Sequence, residues 1–257
     1  GEVYQLGRHR LMWGDSTKIE DIEKLMGGKK AQLVFTDPPY NVDYIKINTH
    51  RGENTKGKKW RYNPIKGDNL SGEDFYNFLV SSFSNLVSVT EKSSPMYVWY
   101  AHQSAWEFLS AFNAVGLKDR QTLIWVKQTL VIGHSDYQWR HEPCFYVKKK
   151  ESGKVPYYGS RKETSVWEVD RDPTAGYMHP TQKPLILASK AIRNSSKFGD
   201  IVLDVFGGSG STLIAAEQLD RTCYMCELDP QYADVIRKRY AKLANREDWQ
   251  EATPICP

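Results

Sequence analysis

Residues 201–227 constrain the fold more than any other stretch of the chain. Ile201-Val202-Leu203-Asp204-Val205-Phe206 has the apolar run of a strand, and it leads into Gly207-Gly208-Ser209-Gly210-Ser211-Thr212 and then Leu213-Ile214-Ala215-Ala216, which suits a helix. A second strand-like run, Thr222-Cys223-Tyr224-Met225-Cys226, ends at Glu227. Strand, glycine turn, helix and strand make a parallel crossover unit, which calls for α/β layering. The glycines permit positive φ and close approach of backbone to a ligand, and the helix N-terminus offers unpaired N–H groups to a polar or anionic part of it. An acid roughly twenty residues after such a loop can accept from both hydroxyls of a ribose. A tight strand-to-helix turn with no ligand is the other reading of the loop.

A second apolar run, Leu33-Val34-Phe35-Thr36, ends in Asp37-Pro38-Pro39-Tyr40. A carboxylate at a strand end followed by two prolines makes a stiff turn that cannot continue a helix, and its carbonyls are free to accept from a ligand. Tyr40 adds an aromatic face. Two acceptors for an exocyclic amino group beside a ring for the base that carries it are what chemistry on a nucleobase requires. Alone, the tetrapeptide also fits an ordinary turn.

Together, Asp37-Pro38-Pro39-Tyr40, His179-Pro180-Thr181-Gln182-Lys183-Pro184 and Asp204-Val205-Phe206-Gly207-Gly208-Ser209-Gly210-Ser211-Thr212 resemble, in order and spacing, the permuted (beta-group) DNA amino-methyltransferases that use S-adenosylmethionine. The resemblance extends from about Tyr4 to about Tyr240. It implies a three-layer Rossmann-like α/β fold, a mostly parallel sheet with one antiparallel strand, in a single domain over residues 1–257. It places Asp37, Pro38, Pro39 and Tyr40 at the target base, with Asp37 and the Pro38 carbonyl on the amino group and Tyr40 stacked on the ring. It places Asp204, Phe206, Gly208, Ser209, Gly210 and Thr212 around the methionine part of the cofactor, Glu227 on the ribose, and His179, Thr181 and Lys183 at the cofactor carboxylate. Asp15 has two readings: by resemblance it faces the cofactor's adenine, and by local pattern it belongs to the N-cap of the next helix, where Thr17 and Glu20 form a capping-box spacing. Asp at the first tetrapeptide position is commoner in the family's adenine-N6 enzymes and Ser in its cytosine-N4 enzymes, so the resemblance points to adenine N6 in DNA. A sulfonium is already an activated methyl donor, so neither a metal nor a cysteine nucleophile is expected.

The charge is only +4 over 257 residues, which by itself does not identify a nucleic-acid binder. Its placement is more informative. Lys56, Lys58, Lys59 and Arg61 surround Trp60 within a basic, weakly periodic stretch of about residues 41–69, which suits a mobile loop closing over a phosphate backbone; a solvated surface loop has the same composition. Arg140-His141-Glu142 resembles a family position near the target base, and equally fits a salt-bridged turn. Residues 148–178, polar and turn-rich with Arg161 and Lys162, lie where the family inserts its target-recognition region. The small size of this insert implies short or relaxed specificity, or help from missing sequence, a second copy or a specificity partner. Cys223 and Cys226 lie three apart in a strand, on opposite faces, and no second pair has zinc-like spacing. No run of about eighteen apolar residues and no cleavable leader is present, so a cytoplasmic protein is expected. Gly1 stands without an initiator methionine, which fits a fragment.

Elsewhere, Val3–Leu11 reads as a hairpin, and Ser71 with Asp74 as the cap of a helix burying Phe75, Phe78, Leu79, Phe83, Leu86 and Val87. Strands are expected over 94–100, 121–127 and 143–147, the last antiparallel, and a helix before Gly116 should turn Trp106, Leu109 and Phe112 inward.

Overall fold

The computed structural model describes residues 1–42, 68–131, 136–170 and 183–245. Within them lie nine strands: β1 (Glu2–Leu6), β2 (His9–Trp13), β3 (Leu33–Thr36), β4 (Met96–Trp99), β5 (Leu117–Val131), β6 (Trp139–Lys149), β7 (Val166–Glu168), β8 (Ile201–Asp204) and β9 (Thr222–Glu227). The longer helices are α1 (Ile19–Met26), α2 (Gly72–Val89), α3 (Ala105–Ala114), α4 (Leu185–Ser195), α5 (Ser211–Gln218) and α6 (Pro230–Leu243). All nine strands share one sheet in the order β1-β2-β9-β8-β3-β4-β6-β5-β7. The run from β2 to β4 is parallel, β6 is the reversed strand inside the sheet, and β1 is reversed at the edge as the arm of the expected hairpin.

Period-two alternation sorts the core into two layers. Val34, Met96, Val98, Leu203, Tyr224 and Cys226 pack under α1, α2 and α3. Leu33, Phe35, Tyr97, Trp99, Val202, Cys223 and Met225 face α4, α5 and α6. The central strands are buried on both faces and therefore read as continuous apolar runs. Cys223 and Cys226 fall on opposite sides, as their spacing requires.

The chain leaves β3 toward β4 and leaves β8 toward β9, so the adjacent strands β3 and β8 mark the point where the winding reverses. Ligands in open α/β sheets bind at the carboxyl ends of the strands at such a point. Asp37 follows β3 there, and the glycine loop follows β8.

Two local expectations need correction. In α3 the inward residues are Phe108, Ala111 and Phe112, while Trp106 is 76% exposed and Leu109 is also exposed. A stripe at 106, 109 and 112 drifts off one face, whereas 108, 111 and 112 keep the i, i+3, i+4 spacing. Phe108 sits among Phe75, Phe83, Tyr100 and Phe145. The capping box at Thr17 and Glu20 does not form, because α1 begins at Ile19 and its N-cap Lys18 makes no side-chain cap bond. Instead Asp15 Oδ1 accepts from the Thr17 N–H at 3.0 Å and the Thr17 hydroxyl at 2.7 Å. In the stretch after β6, β7 pairs in parallel with β5 and buries Trp167. The cap of α2 is as expected, Ser71 Oγ accepting from the Asp74 N–H. No helix among the described residues is long and apolar enough to cross a membrane.

Candidate active site and cofactor loop

Asp204 joins the two strand ends. Its Oδ1 accepts from the Thr36 hydroxyl at 2.9 Å and the Phe206 N–H at 3.2 Å, and its Oδ2 accepts from the Thr212 hydroxyl at 2.6 Å. Asp204 and Thr212 are each 3% exposed, so they act by shaping the loop that follows β8. Burial pushes the Asp204 carboxyl up to about 7, against the pull of the Thr212, Phe206 and Thr36 hydrogen bonds. The loop is built for glycine. A Cβ on Gly207 would lie 2.8 Å from Met225 Cγ, and Gly210 has φ +80° with its Cβ position 3.0 Å from Ile236 Cγ1. Gly208 also has positive φ, at 52°.

Glu227, at the end of β9, closes the loop from the other side. Its Oε2 accepts from the Gly208 N–H at 2.7 Å and its Oε1 from the Asp229 N–H at 2.8 Å. With the Leu228 N–H as a third backbone donor, the carboxylate keeps acceptor capacity for one further hydroxyl. Burial raises this carboxyl to about 7 as well. The Gly14 N–H donates to the Glu227 carbonyl, which brings Asp15 to the same end of the sheet. Phe206 packs against Phe78 of α2 with ring centroids 5.7 Å apart. Ser209 is buried, its hydroxyl 3.2 Å from that of Ser211, and Ser211 in turn donates to the Lys183 carbonyl.

The tetrapeptide carries more charge than its sequence suggests. Asp37 Oδ1 accepts from the Tyr40 hydroxyl at 2.5 Å, and Asp37 Oδ2 accepts from Lys183 Nζ at 2.6 Å. Lys183 also donates to the Tyr40 oxygen at 2.8 Å and lies 3.3 Å from Glu142 Oε2. Glu142 Oε1 meets Lys127 Nζ at 2.5 Å. Lys183 Nζ stands 5.0 Å from the Trp99 ring centroid and 5.3 Å from that of Tyr40. Burial pushes the Asp37 carboxyl up while Lys183 and Tyr40 pull it down. Burial opposes the Lys183 charge too, yet Asp37 and Glu142 hold that ammonium above its ordinary value. Burial and the carboxylate of Asp37 push the Tyr40 phenol well above 10, so it serves as a neutral donor.

Lys183 therefore sits on the Asp37 carboxylate, whereas the resemblance assigned it to the cofactor. Glu142, of the Arg140-His141-Glu142 cluster read from the sequence, is the member that reaches the site, while Lys127 and Trp99 are members that sequence reasoning missed. The signal for Glu142 was its place two residues before buried Cys144 in a strand, hence on the same face. Of its neighbours, Arg140 donates to the Lys127 carbonyl at 2.9 Å, and His141 meets Trp139 edge-on at 5.3 Å. Arg161 and Lys162 are exposed. His179, Thr181, Lys56, Lys58, Lys59, Trp60 and Arg61 lie outside the described residues.

Residues 31–238 match the sequence profile of the N6/N4 DNA methylases. The chain belongs to this DNA methylase family. Its members are S-adenosylmethionine-dependent DNA amino-methyltransferases. Type II methyltransferase M2.MboI of Moraxella bovis is 23% identical over 227 residues, 82% of this chain and 81% of that protein. Two solved structures are similar in fold. The S-adenosylmethionine complex of M1.HpyAVI has a TM-score of 0.64 at 20% identity, covering 89% of this chain and 98% of the other. The cytosine-N4-specific PvuII DNA methyltransferase has a TM-score of 0.69 at 16% identity, covering 94% and 91%.

The residues of this DNA methylase suit that cofactor. The cradle at Gly207, Gly208 and Gly210 admits no side chain on the packed side at Gly207 and Gly210, and Glu227 is an acceptor at the adjoining strand end. Both lie beside Asp37, through the hydrogen bond from Thr36 to Asp204.

Proposed function

We propose that this protein methylates N6 of adenine in DNA from a single catalytic domain, with the target nucleotide turned out of its stack to reach Asp37. The observation that carries this is the acceptor pair of the tetrapeptide, placed at the head of β3 beside the glycine loop. A base stacked inside a duplex could not present its amino group to a carboxylate set at the strand ends between Lys183 and Tyr40, which supports extrusion of the nucleotide. The choice of adenine rests on Asp37 itself, since Asp leads the tetrapeptide more often in adenine enzymes.

S-adenosylmethionine supplies a methyl group on a sulfonium, and Glu227, the glycine loop and Asp15 would hold it. The exocyclic nitrogen of a base is a poor nucleophile because its lone pair is delocalised into the ring. Hydrogen bonds from that amino group to Asp37 and the Pro38 carbonyl favour a pyramidal nitrogen whose lone pair is available. Tyr40 offers its ring to the base and fixes the plane of approach. The nitrogen that gains a methyl group must shed one proton, and the Asp37 carboxylate, raised by burial, is placed to receive it. The short stretch after β6 supports a recognition site that is brief or read with the help of another subunit.

The test is to incubate the protein with labelled S-adenosylmethionine and unmethylated genomic DNA beside an Asp37→Ala variant, then to digest to nucleosides. Labelled N6-methyl-2′-deoxyadenosine that disappears in the variant is the expected result. N4-methylcytosine would replace adenine by cytosine as the target, and an unlabelled digest with cofactor binding intact would overturn the reading of a self-sufficient DNA methyltransferase, leaving a required partner or a substrate other than DNA.

A further inference from the structure

We propose that Lys183 occupies the acceptor position of the target amino group and moves to Glu142 to release it, which makes Glu142 a positioning residue for base entry. The inference rests on the methyl transfer to a base amino group proposed above.

Protein donors already engage both Asp37 oxygens, Tyr40 on Oδ1 and Lys183 on Oδ2. An ammonium N–H on a carboxylate oxygen makes the same donor contact as an amino N–H of a base. Lys183 Nζ also bonds the Tyr40 hydroxyl, so it stands between the carboxylate and the ring that a base would use together. Each Asp37 oxygen has a second lone pair, but the ammonium bonded to both Asp37 and Tyr40 fills the space between them, so a target amino group enters there only when Lys183 withdraws.

Lys183 is the donor with somewhere to go. Its side chain is only 7% exposed, so a displaced ammonium needs another carboxylate inside the protein. Glu142 Oε2 is 3.3 Å away and already within ion-pair reach, so the ammonium can swing off Asp37 onto Glu142 without being left unpaired inside the protein. Glu142 keeps its other oxygen on Lys127 meanwhile. The four charges Asp37, Glu142, Lys183 and Lys127 cancel in either arrangement, so admitting a neutral amine requires no change of charge in the buried site. Withdrawal of Tyr40 would instead remove the ring offered to the base.

The experiment measures kcat and KM for DNA, DNA affinity by anisotropy, and S-adenosylmethionine affinity by calorimetry. The proteins are wild type, Glu142→Gln, Lys183→Gln and the double variant. Glu142→Gln should raise the KM and the dissociation constant for DNA by about tenfold, the size of one charge-assisted bond, with cofactor affinity unchanged. In the Lys183→Gln background the same change should have no further effect on DNA affinity, because no lysine remains to be received. Glu142→Asp, which keeps the charge but draws it back, should show a smaller defect and serves if the Gln variant does not fold. The inference is overturned if Glu142→Gln behaves as wild type, if its penalty is equal in both backgrounds, or if cofactor affinity falls with it. A wild-type protein that methylates no DNA overturns the proposed function and this inference together, whereas independent penalties in an active enzyme overturn the inference alone.

Discussion

Asp204 shows how one buried side chain can set a loop and a pH dependence together. Its three donors, Thr36, Phe206 and Thr212, hold β3, the glycine loop and α5 in register, so the carboxyl is tied to the fold whether or not it is ionised. Burial lifts it from an ordinary 3.8 to about 7. Between those values the folded protein keeps a proton that the unfolded chain releases, so this group's contribution to stability falls as pH rises, by at most about 1.4 kcal/mol per pH unit. Glu227 acts in the same direction from 4.5 to about 7. His9, lowered by burial despite its bond to Glu217, acts in the opposite direction below its ordinary 6.5. The raw profile therefore mixes signs, and Asp204→Asn isolates one of them. The asparagine oxygen can still accept from Thr36 and Phe206, and the Thr212 hydroxyl can rotate to accept from its amide. Urea unfolding at pH 5 and pH 8 should show wild type losing stability relative to Asp204→Asn as pH rises. A constant difference between the two proteins would mean that Asp204 ionises normally.

Elements were legible in the sequence where one physical cause acts alone. Strands β3, β4, β8 and β9 are buried on both faces, so each shows as an unbroken apolar run, and the glycine loop is marked because backbone geometry there admits little else. Gly210→Ala would place a Cβ at φ +80° against Ile236, and we expect a loss of about 1–2 kcal/mol from the left-handed backbone alone, measured by urea midpoint. Helix faces were less legible, because several registers of an aromatic-rich helix look alike until the partner layer is known. In α3 the partner is the cluster of Phe75, Phe83, Tyr100 and Phe145, which selects Phe108 over Trp106. Phe108→Ala should cost about 3–5 kcal/mol by cavity formation. Trp106→Ala should stay within about 0.5 kcal/mol. Equal losses would restore the stripe first read from the sequence. The charged layer beneath Asp37 was the least legible, since Lys127, Glu142 and Lys183 come from three separated segments that only the sheet order brings together.

At the scale of the whole molecule, charge is divided by location. Among the described residues, the ion-pair cluster of Asp37, Glu142, Lys183 and Lys127 sets two cations against two anions, so it contributes little field toward a polyanion. The chain's net +4 must then attract DNA from its surface, and the cationic stretch that follows the tetrapeptide is the one containing Lys56, Lys58, Lys59 and Arg61. Neutralising a phosphate releases its counterions, so the logarithm of the affinity falls against the logarithm of salt with a slope of about −0.9 per phosphate engaged. Replacing the three lysines and Arg61 by glutamine should flatten that slope by about 0.9 for every phosphate that is no longer neutralised, with affinity weakened similarly on every DNA sequence. S-adenosylmethionine binding should be unchanged. Fluorescence anisotropy with two unrelated duplexes across a salt series reads both quantities. An unaltered slope would transfer the phosphates to other cations, among them Arg161 and Lys162, which are exposed on the stretch after β6. A slope that flattens on only one of the duplexes would mean that these residues read base sequence as well as backbone.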